Sequence, residues 1–179
     1  MANFMELAPR AQRQIIRRME PLEPPALHQA QAAYGWLELG NVEEAFAELE
    51  RLPEELQSLP AVQAVRLDCL MATKDWNAAV KLAQVLCGQW AEEPGLWLHH
   101  AYAARRCAGG SIEAAYELLA PCVERFPEEW LIPYNVACYL CQMERLDEAR
   151  AMLEMARAKG GERVDTMAKD DEDLAPLNL

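Results

Sequence analysis

Apolar side chains return every three or four positions in stretches such as HQAQAAYGWLEL and IPYNVACYLCQM, and again in EEAFAELERL and DEARAMLEMARA. That interval gathers them on one face of an α-helix, and the two-residue alternation of a strand is missing throughout. The stretches come in pairs, and each pair is broken by a short turn. The turns read GNVEEA (Gly40–Ala45), KDWNAA (Lys74–Ala79), GSIEAA (Gly110–Ala115) and ERLDEA (Glu144–Ala149). Each runs from a small or polar turn through a hydrophobic residue and two mostly polar or small positions to an alanine. The closing residues Ala45, Ala79, Ala115 and Ala149 stand 34, 36 and 34 residues apart. A fixed period of that length marks stacked supersecondary units.

Local signals support two helices per unit. Asn41, Asp75 and Ser111 precede the second helices, where a side-chain oxygen can accept an orphan amide proton. Pro53, Pro60, Pro94, Pro127 and Pro133 fall between units or in a first turn, where proline costs little. Pro121 is different, and should bend or end its helix near Ala120. The third unit is two residues longer, and the extra length is assigned to its turn, RRCAGGS.

These residues resemble the tetratricopeptide repeats. Tyr134-Asn135-Val136-Ala137, Leu146 through Ala149, Leu153 and Ala156 follow that family's pattern of large and small positions. The first unit matches at Ala33, Gly40, Asn41, Ala45 and Leu49, and the third at Trp97 and Ala101. The second departs from it: Leu67 replaces a small residue and Lys74 replaces the turn glycine. The resemblance covers residues 26–159 and implies an all-α fold, a right-handed α-solenoid of helix-turn-helix repeats at about 26–59, 60–93, 94–129 and 130–159. Small side chains let neighbouring helices approach, and one unit cannot bury its own apolar face, so units must stack.

The ends differ from the array. Residues 1–25 read as an N-terminal helix over 5–20 and a linker, with Leu7, Ile15, Ile16 and Met19 on the apolar side. Residues 160–179 read as a glycine stop at Gly160 and Gly161, a short helix ERVDTMAK and an acidic tail DEDLAPLNL. Leu174, Leu177 and Leu179 are out of place in a free acidic tail, so this segment is expected to cap the last helix pair. The alternative is a mobile acidic peptide.

Composition narrows the function. The 179 residues carry a formal charge of −12, which argues against nucleic acid as a partner because phosphate binding relies on clustered cations. The charge is uneven. Residues 1–25 hold four Arg against three Glu, net +1, and the last twenty hold six acids against Arg163 and Lys169, net −4. No apolar run approaches the ~18 residues of a membrane span, and the N-terminus has no signal-peptide core, so a cytoplasmic protein is expected. The six cysteines are read as reduced, mostly buried thiols.

No Gly-rich phosphate loop, nucleophile elbow or metalloprotease motif is present, and His99 and His100 are neighbours on a helix, pointing about 100° apart. The chain is therefore expected to be no enzyme, with no cofactor and no metal. Cys138 and Cys141 form a C-x-x-C in mid-helix with no second pair to complete a zinc site.

In the tetratricopeptide family the first helix of each unit lines a concave groove that receives a peptide. The resemblance implies a groove formed by Tyr34, Leu37, Glu38, Asp68, Met71, His99, Tyr102, Arg105, Tyr134, Asn135, Cys138 and Gln142, with Leu27, Ala30, Ala64, Leu98 and Cys141 alongside. Ala30, Tyr34 and Val65 stand where a carboxylate clamp would need Lys and Asn, so a chaperone tail is not the expected ligand. The function implied is a non-enzymatic protein-protein interaction module of small bacterial type. Its partner is a protein or peptide, not nucleic acid or membrane, and a homodimer is left open. Two alternatives stand beside it: a dedicated chaperone resembling those of type III secretion, and a thiol- or metal-responsive binder using Cys138 and Cys141.

Overall fold

The structure is a computed structural model that describes residues 22–179. The helix expected over residues 5–20 lies outside the described residues. Among those described, every regular element is a helix, so the chain is all-α. Contacts divide it into two compact units, one ending at Leu96 and one covering Trp97–Leu179.

The first unit contains α1 (Ala26–Glu38), α2 (Val42–Glu50), α3 (Glu54–Gln57), α4 (Pro60–Ala72) and α5 (Trp76–Gln89). Its core joins α1, α2 and α4 through Ala26, Ala30, Ala33, Ala45, Leu49, Val62, Val65 and Cys69. Ala26, Ala30 and Ala33 on α1 and Ala45 on α2 are almost wholly buried, which lets the helices come together, and Leu49 and the valines fill the spaces between them. Leu67, too large for its place in the repeat pattern, is also fully buried.

The α1–α2 and α4–α5 turns are built alike. After α1 the Gly40 amide donates to the Leu37 carbonyl at 3.0 Å, and the Asn41 amide reaches back to the Trp36 carbonyl at 2.9 Å. Lys74 and Asp75 repeat these bonds to Met71 and Leu70 at 3.1 and 3.0 Å. This paired closure satisfies the last helical carbonyls and forces its middle residue to positive φ: +75° at Gly40 and 60° at Lys74. The next residue caps the following helix. Asn41 accepts from the Glu44 amide and Asp75 from the Ala78 amide, as the sequence predicts.

The second unit takes in most of α6 (Pro94–Ala104), then α7 (Ile112–Leu119), α8 (Cys122–Arg125), α9 (Leu131–Gln142), α10 (Leu146–Gly160), α11 (Glu162–Lys169) and a 3₁₀ helix, Glu172–Leu177. Ser111 caps α7 through the Ala114 amide, and α7 stops at Leu119, just ahead of Pro121. The α9–α10 turn repeats the closure of the first unit: Glu144, at φ 61°, donates to Cys141, and Arg145 donates to Leu140. The longer third turn spans residues 105–111 and uses a different path, with positive φ at Gly109.

Helix α9 is the centre of this unit. Ten of its twelve residues are buried, so it has neighbours around nearly its whole circumference. It packs on α7, α8, α10 and the 3₁₀ helix. Gly160, the last residue of α10, lies where a Cβ would stand 3.1 Å from the Trp130 ring and 2.3 Å from Val164 Cγ2. That contact holds α11 against the end of α10.

Candidate functional site

In the first unit, Tyr34 on α1 and Asp68 on α4 occupy the same register 34 residues apart, and the packing of the two helices brings them together. The Tyr34 hydroxyl donates to Asp68 Oδ2 at 2.7 Å, and both residues are buried. A carboxylate removed from water needs such a donor, and a charge-assisted bond is the strong kind. Met71 is almost fully buried and belongs to the core. Leu37 is half-buried against the core, and Glu38 is exposed. The residues expected in this part of the groove thus divide into a buried polar pair, a core methionine and two surface positions.

In the second unit, His99 is buried and Tyr102 is half-buried. The Arg106 guanidinium lies over the Tyr102 ring, 3.5 Å from its centre. Arg105, Tyr134, Cys138 and Gln142 are brought together, and the C-terminal segment is docked on them. The Tyr134 hydroxyl donates to Asp171 Oδ2 at 2.9 Å, and the Cys138 thiol donates to the same oxygen at 3.7 Å. Arg105 grips Asp173 with two nitrogens, at 2.8 and 3.3 Å, and its guanidinium also lies over the Tyr139 ring at 5.9 Å. Gln142 Nε2 donates to the Asp173 carbonyl at 3.2 Å. Leu174 and Leu177 are buried, and the 3₁₀ helix that carries them packs on α9 and α10. Asn135 stays apart from this network, with its amide on the Leu131 carbonyl at 2.8 Å.

The sequence places Tyr134 and Cys138 on an open groove wall, whereas the structure buries both, with Asp171 hydrogen-bonded to each. Register along a helix tells which way a side chain points, but not what comes to lie on it. Asp171 and Asp173 were not among the expected site residues. The signal that finds them is the pair of leucines three apart, Leu174 and Leu177, which carries the acidic segment onto the surface.

Burial, then the charges of Asp171 and Asp173, hold the Cys138 thiol well above its ordinary value. Burial and Asp173 push Cys141 up to about 11. The Tyr134 hydroxyl is raised by burial, by Cys138 and by Asp171. All three therefore keep their protons, and Tyr134 and Cys138 serve as donors to the carboxylate. Metal binding and thiol exchange need the thiolate, which this environment disfavours. All six cysteines are free. Among the described residues no group of three or more His, Cys, Asp or Glu is set to hold a metal ion, and no helix is long and apolar enough to cross a membrane. No family model, curated protein or solved structure matches the chain.

Proposed function

We propose that this chain is a non-enzymatic protein-interaction module, a tetratricopeptide-like right-handed α-solenoid whose first helices present a groove to a peptide or protein segment. The observation that supports this reading is the recurrence of one turn. Gly40, Lys74 and Glu144 each stand five residues before a closing alanine, and each closes its helix with the same pair of backbone bonds. Helix pairs repeated at a constant period stack through their neighbours and leave one face of each pair for partners. The partly or fully exposed side chains Leu37, Glu38 and Tyr102 on the first helices suit recognition. Tyr34 with Asp68 and Tyr134 with Asp171 are engaged with each other and fix the surface around them.

The test is affinity capture on full-length protein from a lysate of the source cells. Wild type is compared with a Leu37→Asp, Glu38→Lys variant and with Tyr102→Ala, each shown to be folded by circular dichroism. A specific chain retained by wild type and reduced at least tenfold on both variants is expected. The same chains on all three proteins would contradict the groove reading.

A further inference from the structure

The last nine residues meet the second unit as a bound peptide meets a receptor. Two acidic side chains two positions apart each find a different donor: Asp171 the Tyr134 hydroxyl, and Asp173 the Arg105 guanidinium. One main-chain carbonyl, that of Asp173, is read by Gln142. Two leucines three apart, Leu174 and Leu177, are buried as anchors. Specific side-chain bonds, a main-chain bond and spaced apolar anchors together make up short-segment recognition.

We infer that the face made by Arg105, Tyr134, Cys138 and Gln142 is a recognition site for acidic–leucine segments of the form Asp-x-Asp-Leu-x-x-Leu. The chain's own Asp171–Leu177 fills it as a displaceable occupant, so a partner carrying such a segment competes with the C-terminus.

Three observations carry this. The segment is a single 3₁₀ stretch of six residues with Pro176 inside it, too short to hold its own shape without the surface beneath. It is a separate element after α11 that packs on α9 and α10, so its release breaks no helix of the unit. Charge is matched closely: in a chain of net −12, Arg105 is directed at Asp173, and both side chains are largely buried, 14% and 16% exposed. A planar guanidinium bound at two nitrogens specifies a carboxylate in a fixed orientation.

A tethered occupant acts at an effective concentration in the millimolar range, so a free segment competes poorly until the tethered one is weakened. The inference rests on reading this face as a peptide-binding surface, but the two fail separately. A partner held through Leu37, Glu38 and Tyr102 would sustain the proposed function even if no acidic–leucine peptide bound.

The test uses full-length chains and a fluorescein-labelled peptide, DEDLAPLNL, followed by anisotropy. In an Asp173→Lys variant the tethered segment is repelled by Arg105, while the peptide keeps its aspartate. This variant is expected to bind the peptide at least tenfold more tightly than wild type. Adding Arg105→Glu to it should weaken binding at least tenfold. A folded Asp173→Lys variant that binds no more tightly than wild type would overturn the proposal. So would loss of its helical circular dichroism, because the segment would then be an integral part of the fold.

Discussion

Lys74 and Glu144 hold positive φ with ordinary side chains, where Gly40 does so freely. The left-handed region crowds a Cβ, and glycine is without that strain. Lys74→Gly and Glu144→Gly should each raise stability by about 0.5–1 kcal/mol, read as a higher urea midpoint at unchanged slope. An unchanged or lower midpoint would contradict it. The buried hydroxyls act in the opposite sense. Tyr134→Phe removes a donor from Asp171, and Tyr34→Phe removes one from Asp68, so each should cost about 1–3 kcal/mol by the same measurement. The caps were legible at this scale because Asn41, Asp75 and Ser111 act on amides three residues away. Glu144 was not marked as a left-handed position, since it is the pattern of returning amides, not the residue type, that demands positive φ there. The pairing of Tyr34 with Asp68, or Tyr134 with Asp171, joins residues more than thirty positions apart and carries no local signature.

Turns and helix ends decide the elements. The third turn takes its own course around Gly110, where a Cβ would lie 2.0 Å from the Ala104 carbonyl oxygen and 3.0 Å from that of Cys107. Backbone cannot yield as a side-chain end does, so Gly110→Ala should cost roughly 1–3 kcal/mol or more. Gly109→Ala has open space around it and should show only the smaller penalty of its positive φ. Comparing the two melting temperatures separates these causes, and equal losses would contradict the distinction. The stop at Pro121, the extra turn length and the short helix ERVDTMAK were all readable, because each depends on residues within one turn of the event. Leu174 and Leu177 place the C-terminal segment on the last helix pair, but which side chains of α9 it covers was not readable. The groove positions of that helix were assigned by helical register, and the segment that covers Tyr134 and Cys138 comes from thirty-odd residues further along the chain.

Across the whole molecule, four thiols respond alike to pH. Burial raises Cys69 to about 12 and Cys122 and Cys141 to about 11, and Cys138 rises as well, from an ordinary value of 9.0. Below pH 9 these thiols are protonated in both folded and unfolded chains, so they leave stability unaffected. Above it the unfolded chain loses protons that the folded chain keeps, so stability should fall as pH rises from about 9 towards 12. Urea midpoints at pH 8, 9.5 and 10.5 check this, and a Cys69→Ala, Cys122→Ala, Cys138→Ala, Cys141→Ala variant should lose that part of the slope. A slope equal to that of wild type would contradict it. The all-helical class was legible because apolar side chains return every three or four positions in the paired stretches of the sequence.

The docked C-terminal segment is where the account is most exposed to test. Amide hydrogen exchange on the native full-length chain, resolved by mass spectrometry, measures its opening directly. Peptides covering residues 171–179 should exchange more slowly than the same peptide free in solution and faster than peptides from α9. Exchange at the free-peptide rate would show that the segment is not held, and exchange as slow as α9 would show that it is never released; either result would contradict a self-occupied, displaceable site.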